Sequence, residues 1–363
     1  MMKNNTPYPV YFDSISEHLD TFLSEREFSK IVILTDTNTS EKCLPNLSMS
    51  IDRIANCDII EIDAGEGSKN TDICTGIWSM MNDFHMDRHS LLVNLGGGMV
   101  CDIGGFAAST YMRGISFIHI PTSLLAMVDA SIGGKNAVDL NSLKNMIGTF
   151  AQPEAVFIAP EFLDTLPERE RLSGYAEILK HGLISDAAYW ETALGHMGMG
   201  NKAMLPIIQQ SVEIKSRIVA DDPEEAGPRK LLNFGHTVGH AIESFSLSND
   251  ANPLLHGEAI AIGMICEAYL SFKKNKLPET QLHKITMMLL DHYPVYAFGE
   301  EDFDSLIGLM RKDKKNKKNL FFFTLLQDIG KADYNIECRE DELIEALHFY
   351  RRISGVEKEP DTL

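Results

Sequence analysis

The stretch SLLVNLGGGMVCDIGGFAAS, residues 90–109, decides the fold. Its first part is a near-continuous apolar run that ends in three glycines, the pattern of a strand buried on both faces. The glycines then open a helix. Glycine at such a turn lets the backbone approach a pyrophosphate and aim N–H groups at it. The strict G-x-G-x-x-G spacing fails, because the sixth position counted from Gly96 is Cys101. A phosphate-binding turn and a bare strand-to-helix turn therefore both fit. Asp102 falls in the first turns of the helix, where a carboxylate also complements the helix dipole.

Similar apolar runs lie on either side: KIVILTDTN (30–38), DIIEIDAGEGSKN (58–70), ISFIHIPTS (115–123) and EAVFIAP (154–160). TDICTGIWSMMNDF (71–84) has helical spacing, with Thr71 as its expected N-cap. Apolar strands separated by helices predict a parallel sheet covered on both faces, with ligands beyond the carboxyl ends of the strands. From about residue 160 the apolar residues recur every three to four positions, as in LPERERLSGYAEILKHGLIS (166–185) and HGEAIAIGMICEAYLSFKK (256–274). A hairpin or short strand is expected near LFFFTLLQDIGKADYNIE, and a last helix near DELIEALHFYRR. The expected fold is α/β: a Rossmann-like parallel-sheet domain over residues 1–160 and a mainly helical domain over 161–363.

The 363 residues carry a formal charge of −19, with 44% hydrophobic and 23% charged residues. So acidic a surface repels nucleic acid and anionic membranes, and neither is expected as a partner. An anionic small substrate would need a local basic pocket. The six cysteines show no C-x-x-C spacing, and with no apolar leader or bilayer-length run the expectation is a reduced, cytoplasmic protein.

Four further segments carry chemistry. PTSLLAMVDASIGGKNAVDLNSLKNMIGTF (121–150) holds Thr122, Ser123, Asp129, a Gly-Gly-Lys ending at Lys135, and the Lys144–Asn145 pair. Glycines before a lysine suggest an anion cradle, although each lysine alone also fits a solvated surface. In LLNFGHTVGHAIES (231–244), His236 and His240 stand one helical turn apart. Glu177 and Lys180 share a helical face, and His256 begins an apolar helix. Two imidazoles and a carboxylate with one open position form a catalytic site for zinc or a similar ion, whereas a histidine pair alone also fits plain helix packing. KSRIVADDPEEAGPRKLLNFGH (215–236) adds Lys215, Glu225, Arg229 and Asn233. Their spacing would let Arg229, Asn233 and His236 share one helical face, and arginine can clamp a carboxylate or phosphate. RKDKKNKK (311–318) is the densest basic run and reads as a solvated loop, a nuclear-localisation-like patch, a nucleic acid contact or a phosphate hook, with the acidic remainder against nucleic acid.

In order and spacing, GGGMVCDIGGF, YMRGISFIHIPTSLLAMVDASIGGKNAVD, LKNMIG, AEILKHGLI, LLNFGHTVGHAIE and LLHGEAIAIGM resemble the 3-dehydroquinate synthase family, over about residues 30–330. The resemblance implies NAD and a divalent metal, zinc or cobalt, as cofactors. It implies Glu177, His236 and His256 as metal ligands. NAD would be met by Asp36, Asn38, Glu66, Lys69, Gly97, Gly98, Met99, Asp102, Thr122, Ser123, Asp129, Lys135, Lys144 and Thr165. The substrate would be met by Lys135, Asn145, Lys180, Lys215, Glu225, Arg229, Asn233 and His240, and its phosphate by Lys314 or Lys315. Arg113 would serve the neighbouring subunit, which implies a homodimer. Ser123 stands where the family often has threonine, and its hydroxyl can do the same work.

The family converts an anionic sugar phosphate, 3-deoxy-D-arabino-heptulosonate 7-phosphate, to 3-dehydroquinate and phosphate in the shikimate pathway of aromatic amino acid biosynthesis. It does so by transient oxidation, phosphate elimination, re-reduction and aldol closure, so NAD is not consumed. Three rivals remain: a related cyclase making deoxy-inosose or valiolone rings, a metal-dependent polyol dehydrogenase such as glycerol dehydrogenase, and a catalytically silent binding module. The cyclase substrates lack a carboxylate, which Lys135, Lys215 and Arg229 would otherwise hold; the dehydrogenase would accumulate NADH.

Overall fold

The apolar run opened above is Leu91–Gly96, buried at every position and hydrogen-bonded on both sides within a six-stranded parallel sheet. The computed structural model describes residues 6–140, 143–311 and 320–356. In chain order the strands are β1 (Val10–Phe12), β2 (Ile31–Asp36), β3 (Asp58–Ile62), β4 (Leu91–Gly96), β5 (Ser116–Pro121), β6 (Lys135–Leu140), β7 (Leu143–Phe150), β8 (Ala155–Ile158), β9 (Phe321–Asp328) and β10 (Lys331–Cys338). The sheet runs β1-β8-β5-β4-β2-β3, so β4 is central and the order reverses beside it, as in doubly wound nucleotide-binding folds. The short edge strand β1 carries too little periodicity for the sequence to announce it.

Helix Gly98–Thr110 packs closely against side chains of β4 in this sheet and of the separate strand β6. A Cβ at Gly104 would lie 2.0 Å from Asn94 Oδ1, and one at Gly105 would lie 1.8 Å from Asn136 Oδ1. A side chain at either position would have to displace these asparagine amides. Around them Val32, Leu34, Ile60, Leu92, Val100, Ile103 and Phe117 form a buried core, each large aliphatic side chain contributing about 1.5–3 kcal/mol. One polar pair is sealed within it: Asn94 Nδ2 stands 3.3 Å from His119 Nδ1. Helix Thr71–Asp83 is capped by Asn70, whose side chain accepts from the N–H groups of Asp72 and Ile73 at 2.9 and 3.0 Å. The cap is thus one residue earlier than the expected Thr71. The Gly-Gly-Lys segment is the entry to an antiparallel hairpin, β6–β7, with Gly133 and Gly134 at φ 99° and 66°.

The chain divides into two compact units, Met1–Gly174 with Gly198–Ala220, and Tyr175–Met197 with Asp221–Leu363. The second is mainly helical. Its centre is the helix His256–Lys274, buried at nearly every position from Gly257 to Ser271, as its almost uninterrupted apolar sequence requires. The hairpin β9–β10 packs against this helix through a hydrogen bond from the Leu326 N–H to Ser271 Oγ at 2.9 Å. The last helix, Glu340–Ile353, buries Leu343, Ala346, Leu347 and Tyr350 on one face. All six cysteines are free, and five are buried. Among the described residues no helix is long and apolar enough to cross a membrane.

Candidate functional site

Within the second unit, segments of three helices bring Glu177, His236, His240 and His256 together. Glu177 and Lys180 lie one turn apart on Glu168–Ser185, both essentially inaccessible and ion-paired to each other. His236 opens the helix His236–Asn249 and His240 follows one turn later, their ring centroids 5.0 Å apart. His256 opens the helix His256–Lys274. Glu177 Oε1 lies 3.5 Å from His236 Nε2 and 3.7 Å from His256 Nε2. Ligand atoms bound at ~2.0–2.2 Å to a tetrahedral ion stand about 3.5 Å apart. This carboxylate and these two imidazoles therefore fit one divalent ion. The ligand atoms of His236, His240 and His256 also lie within 4.8 Å of one another, so His240 belongs to the same cluster.

The charges around this point differ from residue to residue. Burial, then the nearby Lys180 ammonium, holds His236 well below the usual histidine value, so its ring is neutral. Burial also pushes His256 down, but the Glu243 and Glu177 carboxylates outweigh it and raise the group to about 9.

The chain just before His236 is organised by Asp222, which the sequence reading passed over. Its carboxylate accepts from the N–H groups of Ala226, Gly227 and Arg229 at 2.9, 2.7 and 3.0 Å. Burial would raise this carboxyl, but the three N–H groups hold it below its ordinary value. The loop places the buried Arg229 guanidinium against the Pro223 carbonyl, and Asn233 Nδ2 donates to Glu225 Oε1 at 2.5 Å. Arg229 and Asn233 do not share one helical face with His236, contrary to their spacing. Residues Pro228–Asn233 form a separate 3-10 turn, and Gly235, at φ 80°, breaks the chain before the next helix starts. A left-handed residue cannot continue a right-handed helix.

The first unit carries the other candidates. Helix Gly98–Thr110 follows β4 with Gly97 at its N-cap and no side chain capping it. A Cβ at Gly97 would meet Ser123 Oγ at 3.4 Å, and one at Gly98 would meet Ala130 at 3.3 Å, so side chains here would crowd the helix start. Uncapped N–H groups at a glycine-lined helix start suit a pyrophosphate. Asp102 does more than complement the dipole: its Oδ2 pairs with the buried Lys69 ammonium at 2.6 Å. Burial would lower Lys69, but Asp102 and Glu66 together hold it above the ordinary lysine value. Lys144 Nζ lies 3.5 Å from Glu66 Oε1, in the same charged group. Asp36, at the end of β2, accepts from the Thr39 N–H at 2.9 Å. Buried Lys215 donates to both the carboxylate and the backbone carbonyl of Asp129 at 2.5 Å.

Thr122 is buried after β5, Met99 is half-buried, and Asn38, Thr165, Lys135 and Asn145 are exposed. Asn145 and Arg113 have φ of 53° and 70°, and Arg113 stands exposed on its turn. Lys314 and Lys315 lie outside the described residues.

A doubly wound sheet with a glycine-lined helix start, joined in one chain to a buried Glu/His cluster, is the make-up of a dinucleotide- and metal-dependent α/β enzyme. Comparison with known proteins agrees. Residues 59–173 match the model for the 3-dehydroquinate synthase N-terminal domain, and residues 174–316 match that for the C-terminal domain. A 3-dehydroquinate synthase of Parabacteroides distasonis is 43% identical over 96% of this chain and 98% of its own length. The chain belongs to the 3-dehydroquinate synthase family. Among solved structures, 2-epi-5-epi-valiolone synthase from Streptomyces hygroscopicus subsp. jinggangensis, with NAD+ and Zn2+ bound, has a TM-score of 0.84 at 26% identity, covering 97% of this chain and 99% of that one. A 2-deoxy-scyllo-inosose synthase in complex with carbaglucose-6-phosphate, NAD+ and Co2+ has a TM-score of 0.83 at 25% identity, covering 93% and 95%.

Proposed function

We propose that this chain converts 3-deoxy-D-arabino-heptulosonate 7-phosphate to 3-dehydroquinate and phosphate, as a lyase of aromatic amino acid biosynthesis. The observation that carries the reading is the buried Glu177 with His236 and His256 at ligand spacing, in a chain 43% identical to a 3-dehydroquinate synthase. Its cofactors are NAD and a divalent metal, zinc or cobalt, which supply reversible hydride exchange and Lewis acidity.

The protein's own part is to hold and orient. Glu177, His236 and His256 hold the metal, and Lys180 sets a fixed cation beside Glu177. In the first unit Gly97, Gly98 and Met99 offer backbone N–H groups to the NAD pyrophosphate. Asp36, Asn38, Glu66, Lys69, Asp102, Thr122, Ser123, Asp129, Lys144 and Thr165 complete that surface. Arg229 and Lys215, both buried, are the cations suited to the substrate's anionic groups, with Lys135 as a third. Asn145, Asn233 and Glu225 orient hydroxyls, and His240 moves a proton on the phosphate side. Fixed cations in a water-poor site need no reorganisation as charge develops, which is where most of the rate originates. Lys314 or Lys315 meets the phosphate, Arg113 serves a neighbouring subunit in a homodimer, and the free cysteines suit the cytoplasm. The net charge of −19 opposes a nucleic acid partner.

The test is phosphate release from the heptulosonate phosphate with catalytic NAD, with and without a chelator. Release that the chelator stops, without net NADH, is expected. No release with metal and NAD present would sink the reading. Turnover of glucose 6-phosphate instead would favour an inosose-type cyclase, whose substrate lacks the carboxylate.

A further inference from the structure

Within the second unit, helices His236–Asn249 and His256–Lys274 each send a buried carboxylate to the first turn of the other. Glu243, two turns into the first helix, places Oε2 3.4 Å from His256 Nδ1. Glu267, three turns into the second, accepts from the N–H groups of Gly235, Thr237 and Val238 at 2.6, 3.1 and 3.2 Å. The first helix has Gly235 at its N-cap and no side-chain cap of its own. The N–H groups that every helix start leaves unsatisfied are thus taken from across the interface, and a carboxylate there also suits the dipole.

The two helices meet at backbone contact. A Cβ at Gly263 would lie 1.9 Å from the Gly235 carbonyl oxygen and 2.7 Å from the Gly239 nitrogen. At that separation neither carboxylate can slide without losing its donors, and a buried carboxylate without donors is costly.

The consequence falls on the two imidazoles. His256 has Nδ1 turned to Glu243 and Nε2 turned to Glu177. His236 has Nδ1 3.1 Å from the Phe234 carbonyl, on the turn that Glu267 grips, and Nε2 turned to Glu177. An imidazole whose one nitrogen is held by an acceptor presents the other to a metal in a fixed tautomer and direction.

We infer that Glu243 and Glu267 are positioning residues of the metal site: Glu243 orients His256 through Nδ1, and Glu267 orients His236 by holding the turn 234–238. The inference rests on the metal site proposed above. Neither carboxylate is asked to touch the ion or the substrate.

The experiment titrates cobalt(II) into the metal-free full-length protein against a competing chelator and records the visible cobalt spectrum. Glu243→Ala is expected to weaken cobalt binding about tenfold or more and to shift the spectrum. Glu243→Gln, whose amide oxygen still accepts from Nδ1–H, recovers most of the affinity. Glu267→Gln weakens binding too, since one neutral oxygen replaces a carboxylate over three N–H groups. NAD binding of the metal-free Glu243 variants stays at the wild-type level. Cobalt affinity within about twofold of wild type and an unchanged spectrum in Glu243→Ala would overturn the inference. So would equal losses in Glu243→Ala and Glu243→Gln accompanied by a lower unfolding temperature, the mark of a structural role alone. Should Glu267→Gln fail to fold, the Glu243 pair decides by itself. Wild-type protein that binds no stoichiometric cobalt would instead overturn the metal site, and this inference with it.

Discussion

His236 and His240 are the same residue type on the same helical face, yet the proposed function gives them different jobs. His236 faces Glu177 with its Nδ1 occupied by a carbonyl, and the His240 ring lies 5.0 Å from that of His236 and 5.7 Å from that of His256. Glu177→Ala and His236→Ala are therefore expected to lose bound metal, measured by elemental analysis of the purified protein. His240→Ala is expected to keep most of it and lose turnover by 10²-fold or more, on the order of a proton-transfer group. Equal metal loss in all three would remove the division of roles. A second residue-scale prediction concerns His119, buried in the sheet core, where burial pushes its folded value down from 6.5 to about 3. The unfolded chain binds a proton there that the folded chain refuses. Stability is thus fullest above pH 6.5 and declines as pH falls towards 3, by at most about 1.4 kcal/mol per pH unit for one proton. Urea unfolding at pH 7, 6 and 5 should show a shallower decline in His119→Asn.

At the scale of elements, alternation of apolar runs and helical spacing was readable because burial imposes it residue by residue. β2, β3, β4, β5 and β8 lie where their runs are. What failed were junctions. Asn70 and not Thr71 caps the helix Thr71–Asp83, and Asn70→Ala should cost about 1 kcal/mol. The face assigned to Arg229, Asn233 and His236 was broken by one left-handed glycine, whose φ is set by how closely two helices must meet. That contact gives a further prediction. Gly263→Ala forces a methyl into the Gly235 carbonyl and should destabilise by about 1–3 kcal/mol. It should also weaken metal binding, because the helices that carry His236 and His256 must part. Denaturant midpoints and metal content of one preparation measure both.

For the whole molecule, the proposed homodimer makes a stoichiometric prediction. Arg113→Ala and His236→Ala chains are each expected to be nearly inactive. If Arg113 serves the neighbouring subunit, a mixed dimer has one complete site: the metal cluster of the Arg113→Ala chain with the arginine of the His236→Ala chain. Random reassociation should then restore about a quarter of wild-type activity. No recovery after exchange of subunits, verified by differently tagged chains, would place Arg113 in its own subunit's site.

The sequence by itself determined the parallel sheet, the helical second half, the glycine-lined helix start and the candidate metal ligands. Local spacing, which the backbone period converts into faces, carries the elements; among four candidate ligands only the family resemblance picked out Glu177, His236 and His256. Only the tertiary structure decided which donors meet. Glu243 lies seven residues after His236 and Glu267 is the single charge in an apolar stretch from Ala259 to Leu270, signals visible but mute about their partners. Each acts on a residue brought near by the packing of another helix. The direction of an imidazole depends on that packing, and no spacing along one chain records it.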